Sequence, residues 1–360
     1  MLNHITQCLE DALKLTKNKS ILFRYTEKIN FNTNYISSVL NSSYQTFHFK
    51  YSDNMEYIGI DRCMEYTLHF KKELETLKKI KLSIHSFGKD INEDVKIFGG
   101  VGFNMTNPLK KPWDDIPVGL FIIPKILITR KNNNHYFISY YHILSKNSDI
   151  QKIVNDYNLI IEGFKKDTDI QNNLKFEKNF PNKKQYTKIF KSLNNDINSD
   201  LIKKVVLSRI KIYSTSNKCI LKRNPSNCMN FHIDLMKNRR FIGSTPEKII
   251  EVNNKNFTTH AIAGTLRKKQ NNIDLKKFLN NKKEVSEHQY VIKDLIKKLN
   301  KFSNNIIFSK KPDILELEHL YHLNTPIKGT LKKNYHILDL LYHLYPTPAV
   351  SGTPQNQRHP

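Results

Sequence analysis

Cysteine is scarce and unpatterned here: Cys8, Cys63, Cys219 and Cys228 form no C-x-x-C pair. This excludes a readable zinc site or disulfide framework and fits a reducing compartment. Long apolar runs are missing too. The longest, Val118 to Ile128, is broken by Pro124 and Lys125 and is too short to cross a bilayer. Met1 to Glu10 carries an acidic residue and no continuous apolar core, so no secretory signal is read there. These absences make a soluble, cytoplasmic protein with no membrane partner the expectation. Tryptophan is reduced to Trp113, yet Phe and Tyr are abundant and the apolar fraction is 39% of 360 residues, too hydrophobic for a disordered chain.

Acidic residues are also short, 33 against 58 basic ones, which leaves a formal charge of +25. Such a balance raises nucleic-acid binding as a role. The lysines, however, are spread from end to end among many asparagines, as in Gln171 to Lys175 and Asn271 to Asp274, and no segment concentrates them on one face. A nucleic-acid partner is therefore not expected. A positive field that draws small polyanions into a cleft remains consistent with the charge.

What is present is patterned. Asn3 to Thr16 has helical spacing at Ile5, Leu9 and Leu13, and Tyr44 to Tyr51 alternates like a strand. Ile97 to Phe103 and Phe121 to Arg130 read as β runs, and Ile126 to Tyr141 as a hairpin turning at Asn132-Asn-Asn. Lys203 to Tyr213 reads as one β-branched strand, Arg240 to Glu247 as a strand ending in a turn, Glu247 to Thr265 as a hairpin, and Lys276 to Phe302 as one helix. Hairpin-paired strands followed by helices imply an α+β fold of layered antiparallel or mixed sheets flanked by helices. The division expected is an N-terminal α/β half (1–145), a lysine-rich connection (146–198) and a catalytic half (199–360).

Five places have the residue types for chemistry, each with a plain alternative. Lys204 begins an apolar strand, as a desolvated base or a solvated strand end. Glu247 follows Ser244-Thr-Pro, as an acid or a surface turn. Gly264-Thr265 closes a strand, as an anion contact or an ordinary turn. Glu284 and Glu287 stand three apart on one helix face beside His288, as a Mg²⁺ site or solvated carboxylates. His319 and His322 bracket Leu320-Tyr321, a spacing that turns one of them toward the core.

Their order is more specific than any one of them. Lys204-Val-Val-Leu-Ser-Arg, Phe241-Ile-Gly-Ser-Thr-Pro-Glu, Ala261-Ile-Ala-Gly-Thr-Leu-Arg, Ser286-Glu-His, His322-Leu-Asn-Thr-Pro-Ile-Lys-Gly and Pro346-Thr-Pro-Ala-Val-Ser-Gly-Thr-Pro together resemble the chorismate-utilising enzymes. Gly99-Gly100 and the stretch from Trp113 to Arg130 resemble the N-terminal half of the isochorismate synthases, leaning toward the menaquinone type. The resemblance implies the chorismate-binding, anthranilate synthase component I-like fold. It also implies Mg²⁺-dependent conversion of chorismate to isochorismate. Lys204 would be the base and Glu247 the acid, with substrate contacts from Gly264, Thr265, His322 and Ala349 and Mg²⁺ ligands from Glu287 and Glu284. A lysine at position 204 goes with water as nucleophile, whereas the ammonia-using anthranilate synthases carry glutamine there. Salicylate synthases share Lys204 and Glu247.

Two departures accompany the resemblance. Tyr345 replaces a histidine, and the family continues beyond Pro360 through a strand pair, an arginine, a glycine-rich loop and a second Mg²⁺-binding glutamate. The expectations are accordingly a truncated isochorismate synthase, with that segment absent or supplied by a second polypeptide, or an inactive chorismate-binding remnant.

Overall fold

The computed structural model describes every residue except 1, 18, 33–34, 52–54, 89–93, 104, 106–112, 132–134, 164–173, 216–224, 226, 237–238, 269–273 and 354–360. The expected turn at 132–134 and Cys219 lie outside the described residues. The first stretch runs α1 (Leu2–Lys14), β1 (Ile21–Ile29), α2 (Ile36–Asn41), β2 (Thr46–Tyr51), β3 (Met55–Leu68), α3 (Leu74–Lys78), β4 (Ile84–Gly88), β5 (Phe98–Val101), β6 (Gly119–Lys131), β7 (His135–Leu144) and α4 (Ile150–Gly163). Then come β8 (Lys175–Phe180), α5 (Lys183–Asn198), β9 (Lys204–Val205), β10 (Ile210–Ser214), β11 (Met229–Met236) and β12 (Arg239–Thr245). The chain continues with β13 (Glu251–Asn253), β14 (Asn256–Arg267), α6 (Leu275–Leu279), α7 (Lys282–Leu299), β15 (Ile306–Phe308), β16 (Asp313–Glu316), β17 (Leu320–Thr330), α8 (Ile337–Leu344) and β18 (Gly352–Thr353).

Two compact units result, and their limits differ from the expected division. The first comprises Met1–Asn172, Asn217–Asn224 and Cys228–Thr245; the second comprises Asn173–Ser216, Pro225–Asn227 and Pro246–Pro360. The segment 146–198 is no single connection. Its α4 places Ile153, Val154, Tyr157 and Ile160 in the same core as Ile5 and Leu9 of α1 and Phe23 of β1. The start of this polar-looking stretch thus belongs to the first unit because one face of its helix is apolar. β11 and β12 join that unit, because β11 pairs antiparallel with β2 from Met229↔Tyr51 to Ile233↔Phe47.

The first unit is built on a nine-stranded sheet in the order β12-β11-β2-β3-β6-β7-β1-β4, with β5 paired to β6. The β6–β7 hairpin forms as expected, in register from Ile126↔Tyr140 to Lys131↔His135. Gly99 is a steric requirement: a Cβ there would lie 2.0 Å from the Leu120 carbonyl oxygen.

The second unit carries a five-stranded sheet, β13-β14-β17-β15 with β16 on β17, plus the pairs β8–β10 and β9–β18. Val291, Ile292, Leu295 and Leu299 of α7 pack on Phe257, Ala261 and Ala263 of β14, together with Leu340 and Leu344 of α8. The single helix expected over Lys276 to Phe302 is divided. Asn281 accepts hydrogen bonds from Lys283 N–H and Glu284 N–H and so starts α7 afresh, as an N-cap does. The single strand expected over Lys203 to Tyr213 is also two pieces, β9 and β10.

Candidate active site

All eight residues to which the resemblance gives a role lie in the second unit. Lys204 sits on β9, whose partner is β18, through Val205↔Gly352 and Lys204↔Thr353. Short as it is, this pairing fixes the lysine. Lys204 is 8% exposed, so it is no solvated strand end. Its Nζ donates to the Pro348 carbonyl at 2.6 Å and lies 3.4 Å from Glu287 Oε1.

Glu247 is half-buried in the irregular stretch between β12 and β13. Burial pushes its carboxyl above the ordinary range, and the Thr347 hydroxyl and the Lys204 charge only partly offset that. Thr347 Oγ1 donates to Glu247 Oε1 at 3.3 Å. A carboxyl held toward its neutral form beside a buried amine is the arrangement that acid–base chemistry needs.

Gly264 is the extra residue of a β-bulge, lying between Ala263↔Leu323 and Thr265↔His322 in the β14–β17 ladder, and its φ is +78°. Glycine takes this left-handed conformation without strain, and a Cβ would also meet the Glu284 carbonyl oxygen at 3.1 Å. The bulge turns the Thr265 N–H onto Glu284 Oε2 at 2.9 Å. His322 Nδ1 lies 3.0 Å from Thr265 Oγ1 and 3.2 Å from the Gly264 carbonyl. Neither of the paired histidines faces the core, since His319 is exposed next to Glu318 and His322 turns toward Thr265. Leu323, the next residue on β17, takes the core position instead.

Glu284 and Glu287 share a face of α7, with side chains 14% and 35% exposed. Two carboxylates are oxygen donors of the kind Mg²⁺ takes, alongside waters or substrate oxygens. Among the described residues no group of three or more His, Cys, Asp or Glu comes together, so protein ligation would rest on this pair. His288 does not join them. It is fully buried, with Nε2 at 2.8 Å from Thr325 Oγ1, and burial pushes its pKa down to about 4 against the opposing Ala263 carbonyl.

Ala349 packs against the hydrophobic core of the second unit. Two residues beside it had no assigned part in the sequence reading. Thr347 holds Glu247, and the Pro348 carbonyl holds Lys204. The one legible signal was a lone hydroxyl residue between two prolines, Pro346-Thr-Pro348.

Comparison with known proteins places the chain in a family. Residues 4–359 match the family model described as "Chorismate binding enzyme". The isochorismate synthase MenF of Bacillus subtilis is 24% identical over 281 residues, 72% of this chain and 58% of that protein. The salicylate biosynthesis isochorismate synthase of Pseudomonas aeruginosa is 35% identical over 123 residues, 33% of this chain and 26% of that protein. The matches thus span less than two thirds of either relative's length. In fold, the chain is similar to the menaquinone-specific isochorismate synthase MenF from Escherichia coli, with a TM-score of 0.70 at 18% identity over 98% of this chain and 82% of that one.

Proposed function

The chain belongs to the chorismate-binding enzymes, and from that we propose that it is an isochorismate synthase, converting chorismate to isochorismate. One observation carries the reading most directly: a buried lysine amine and a carboxyl raised by burial are both tied to the turn that begins at Thr347. Lys204 takes a proton from water, and the hydroxide equivalent forms a bond to C2 of chorismate. The ring double bond migrates, the C4–oxygen bond breaks, and Glu247 gives its proton to the departing hydroxyl, which leaves as water. Water is consumed and released, so the reaction is an isomerisation. Each proton transfer by a positioned group is worth roughly 10²–10⁴-fold in rate.

Chorismate carries two carboxylates. Thr265, His322 and the Gly264 bulge offer hydrogen-bonding groups on one side of the site. Glu287 and Glu284 would hold Mg²⁺, which would neutralise carboxylate charge when bound. Use of the product for menaquinone is the reading favoured by the relatives named MenF.

The test is chromatographic analysis of products after incubating the purified chain with chorismate and Mg²⁺. Isochorismate from the wild type and none from Lys204→Ala is the expected result. Salicylate in its place, anthranilate formed with added ammonium, or equal turnover by Lys204→Ala would refute the assignment.

A further inference from the structure

Thr347 is almost fully buried, 4% exposed, yet its side chain is polar. Its hydroxyl donates to Glu247 Oε1 at 3.3 Å. Its own carbonyl accepts from Val350 N–H at 3.2 Å, Ser351 N–H at 3.1 Å and Ser351 Oγ at 2.7 Å. Prolines on both sides narrow the backbone further by fixing their own φ angles. The turn is therefore a fixed platform. Its next residue, Pro348, presents the carbonyl that accepts from Lys204 Nζ at 2.6 Å. Glu247, by contrast, sits in neither helix nor strand, so no regular element sets its side-chain direction.

We propose that Thr347 is the positioning residue of the general acid, its hydroxyl fixing the direction of Glu247 from the same turn whose Pro348 carbonyl fixes Lys204. The inference rests on the isochorismate synthase reading for the identity of the reaction, but the contact itself does not. A hydroxyl that donates to Oε1 occupies a lone pair there, so the proton of the acid form is carried on Oε2. The carboxyl is thereby oriented as well as tethered. Adjacent residues of one rigid turn then set the separation between acid and base, and small misplacements of either group are expensive in rate. Loss of the hydroxyl also removes a group that stabilises the carboxylate, so the pKa of Glu247 rises further.

Two variants separate positioning from bulk. Thr347→Val keeps the shape and removes the donor; Thr347→Ser keeps the donor. Thr347→Val should lower kcat for isochorismate formation by roughly 10–100-fold with the KM for chorismate held within about twofold, while Thr347→Ser stays within about threefold of wild type. In parallel, ¹³C NMR of carboxyl-labelled glutamate, with the Glu247 resonance assigned by its loss in Glu247→Gln, should show that resonance titrating at higher pH in Thr347→Val. A wild-type kcat in Thr347→Val, or an unchanged Glu247 titration, overturns the inference. Equal losses in the Ser and Val variants also overturn it, since they mark a packing role. If the wild type makes no isochorismate, the functional reading fails, and the titration alone still decides the Thr347–Glu247 contact.

Discussion

Replacing Asp234 by alanine tests the physics of the first unit directly. Asp234 Oδ2 accepts Thr46 N–H and Thr46 Oγ1, each at 2.9 Å, and Arg240 Nη2 at 3.1 Å, while Oδ1 accepts Arg240 Nε at 2.7 Å. The two side chains of the ion pair are only 9% and 10% exposed. An exposed pair would be worth about 0–1 kcal/mol, whereas removing one partner of a buried pair costs about 3–5 kcal/mol. Arg240 keeps its bond to the Leu40 carbonyl at 2.7 Å, which places the loss at the lower end. About 3 kcal/mol corresponds to a fall in Tm of roughly 6–12 °C for a unit of this size. Asp234→Asn, which keeps an acceptor and loses the charge, should fall between the two. The pH dependence has a definite sign. Burial opposes ionisation of Asp234, but the nearby His232 ring and the hydrogen bonds from Arg240 and the Thr46 N–H outweigh it and hold the carboxyl well below the usual range. A depressed native pKa stabilises the fold above the unfolded value of about 3.9 and loses that contribution as pH falls below it. Thermal unfolding followed by circular dichroism should therefore show a gap between wild type and Asp234→Ala at pH 7 that narrows below about pH 4. A gap under about 2 °C at pH 7, or one that widens in acid, would refute the reasoning.

The proposed acid and the proposed Mg²⁺ ligands give further expectations. Glu247→Gln should lower kcat by roughly 10²–10⁴-fold and yet raise stability near neutrality. The native carboxyl has a raised pKa, so its contribution is fully present below the unfolded pKa and is lost as pH rises through the folded one. Urea titrations at pH 4 and pH 8 check this, and a variant less stable than wild type at pH 8 would contradict it. Glu287→Gln should raise the Mg²⁺ concentration needed for half-maximal turnover by about tenfold or more. An unchanged requirement, read from initial rates across a Mg²⁺ series, would remove Glu287 from the metal site.

Much of the fold was legible because it depends on local periodicity. The spacing of Ile5, Leu9 and Leu13 marked α1, alternation marked β2, and the runs Phe121 to Arg130 and Ile126 to Tyr141 marked the β6–β7 hairpin. Breaks hidden in the pattern were not legible. In Lys276 to Phe302 the five polar residues from Asn280 to Glu284 pass for an exposed turn of one helix, and the capping hydrogen bonds of Asn281 show that one helix ends there and another begins. Lys203 to Tyr213 carries β-branched residues on both sides of its middle (Val205, Val206, Ile210 and Ile212), yet only β9 and β10 find partner strands.

The sequence by itself determined which side chains were available for chemistry. Lys204, Glu247, the Gly264-Thr265 pair, Glu284, Glu287 and His322 stand out by type, spacing and order. Their order also carries the family resemblance, because motif order survives where overall identity falls. Tertiary structure decided what each group experiences. It buried Lys204 by pairing β9 with a two-residue strand nearly 150 positions later in the chain. It raised the Glu247 carboxyl by desolvation, put Gly264 into a left-handed bulge, withdrew His288 into the core, and brought Thr347 onto Glu247 from a hundred residues away. Burial, bulge geometry and long-range hydrogen bonds belong to pairs of distant segments, and no window of sequence contains both members of such a pair.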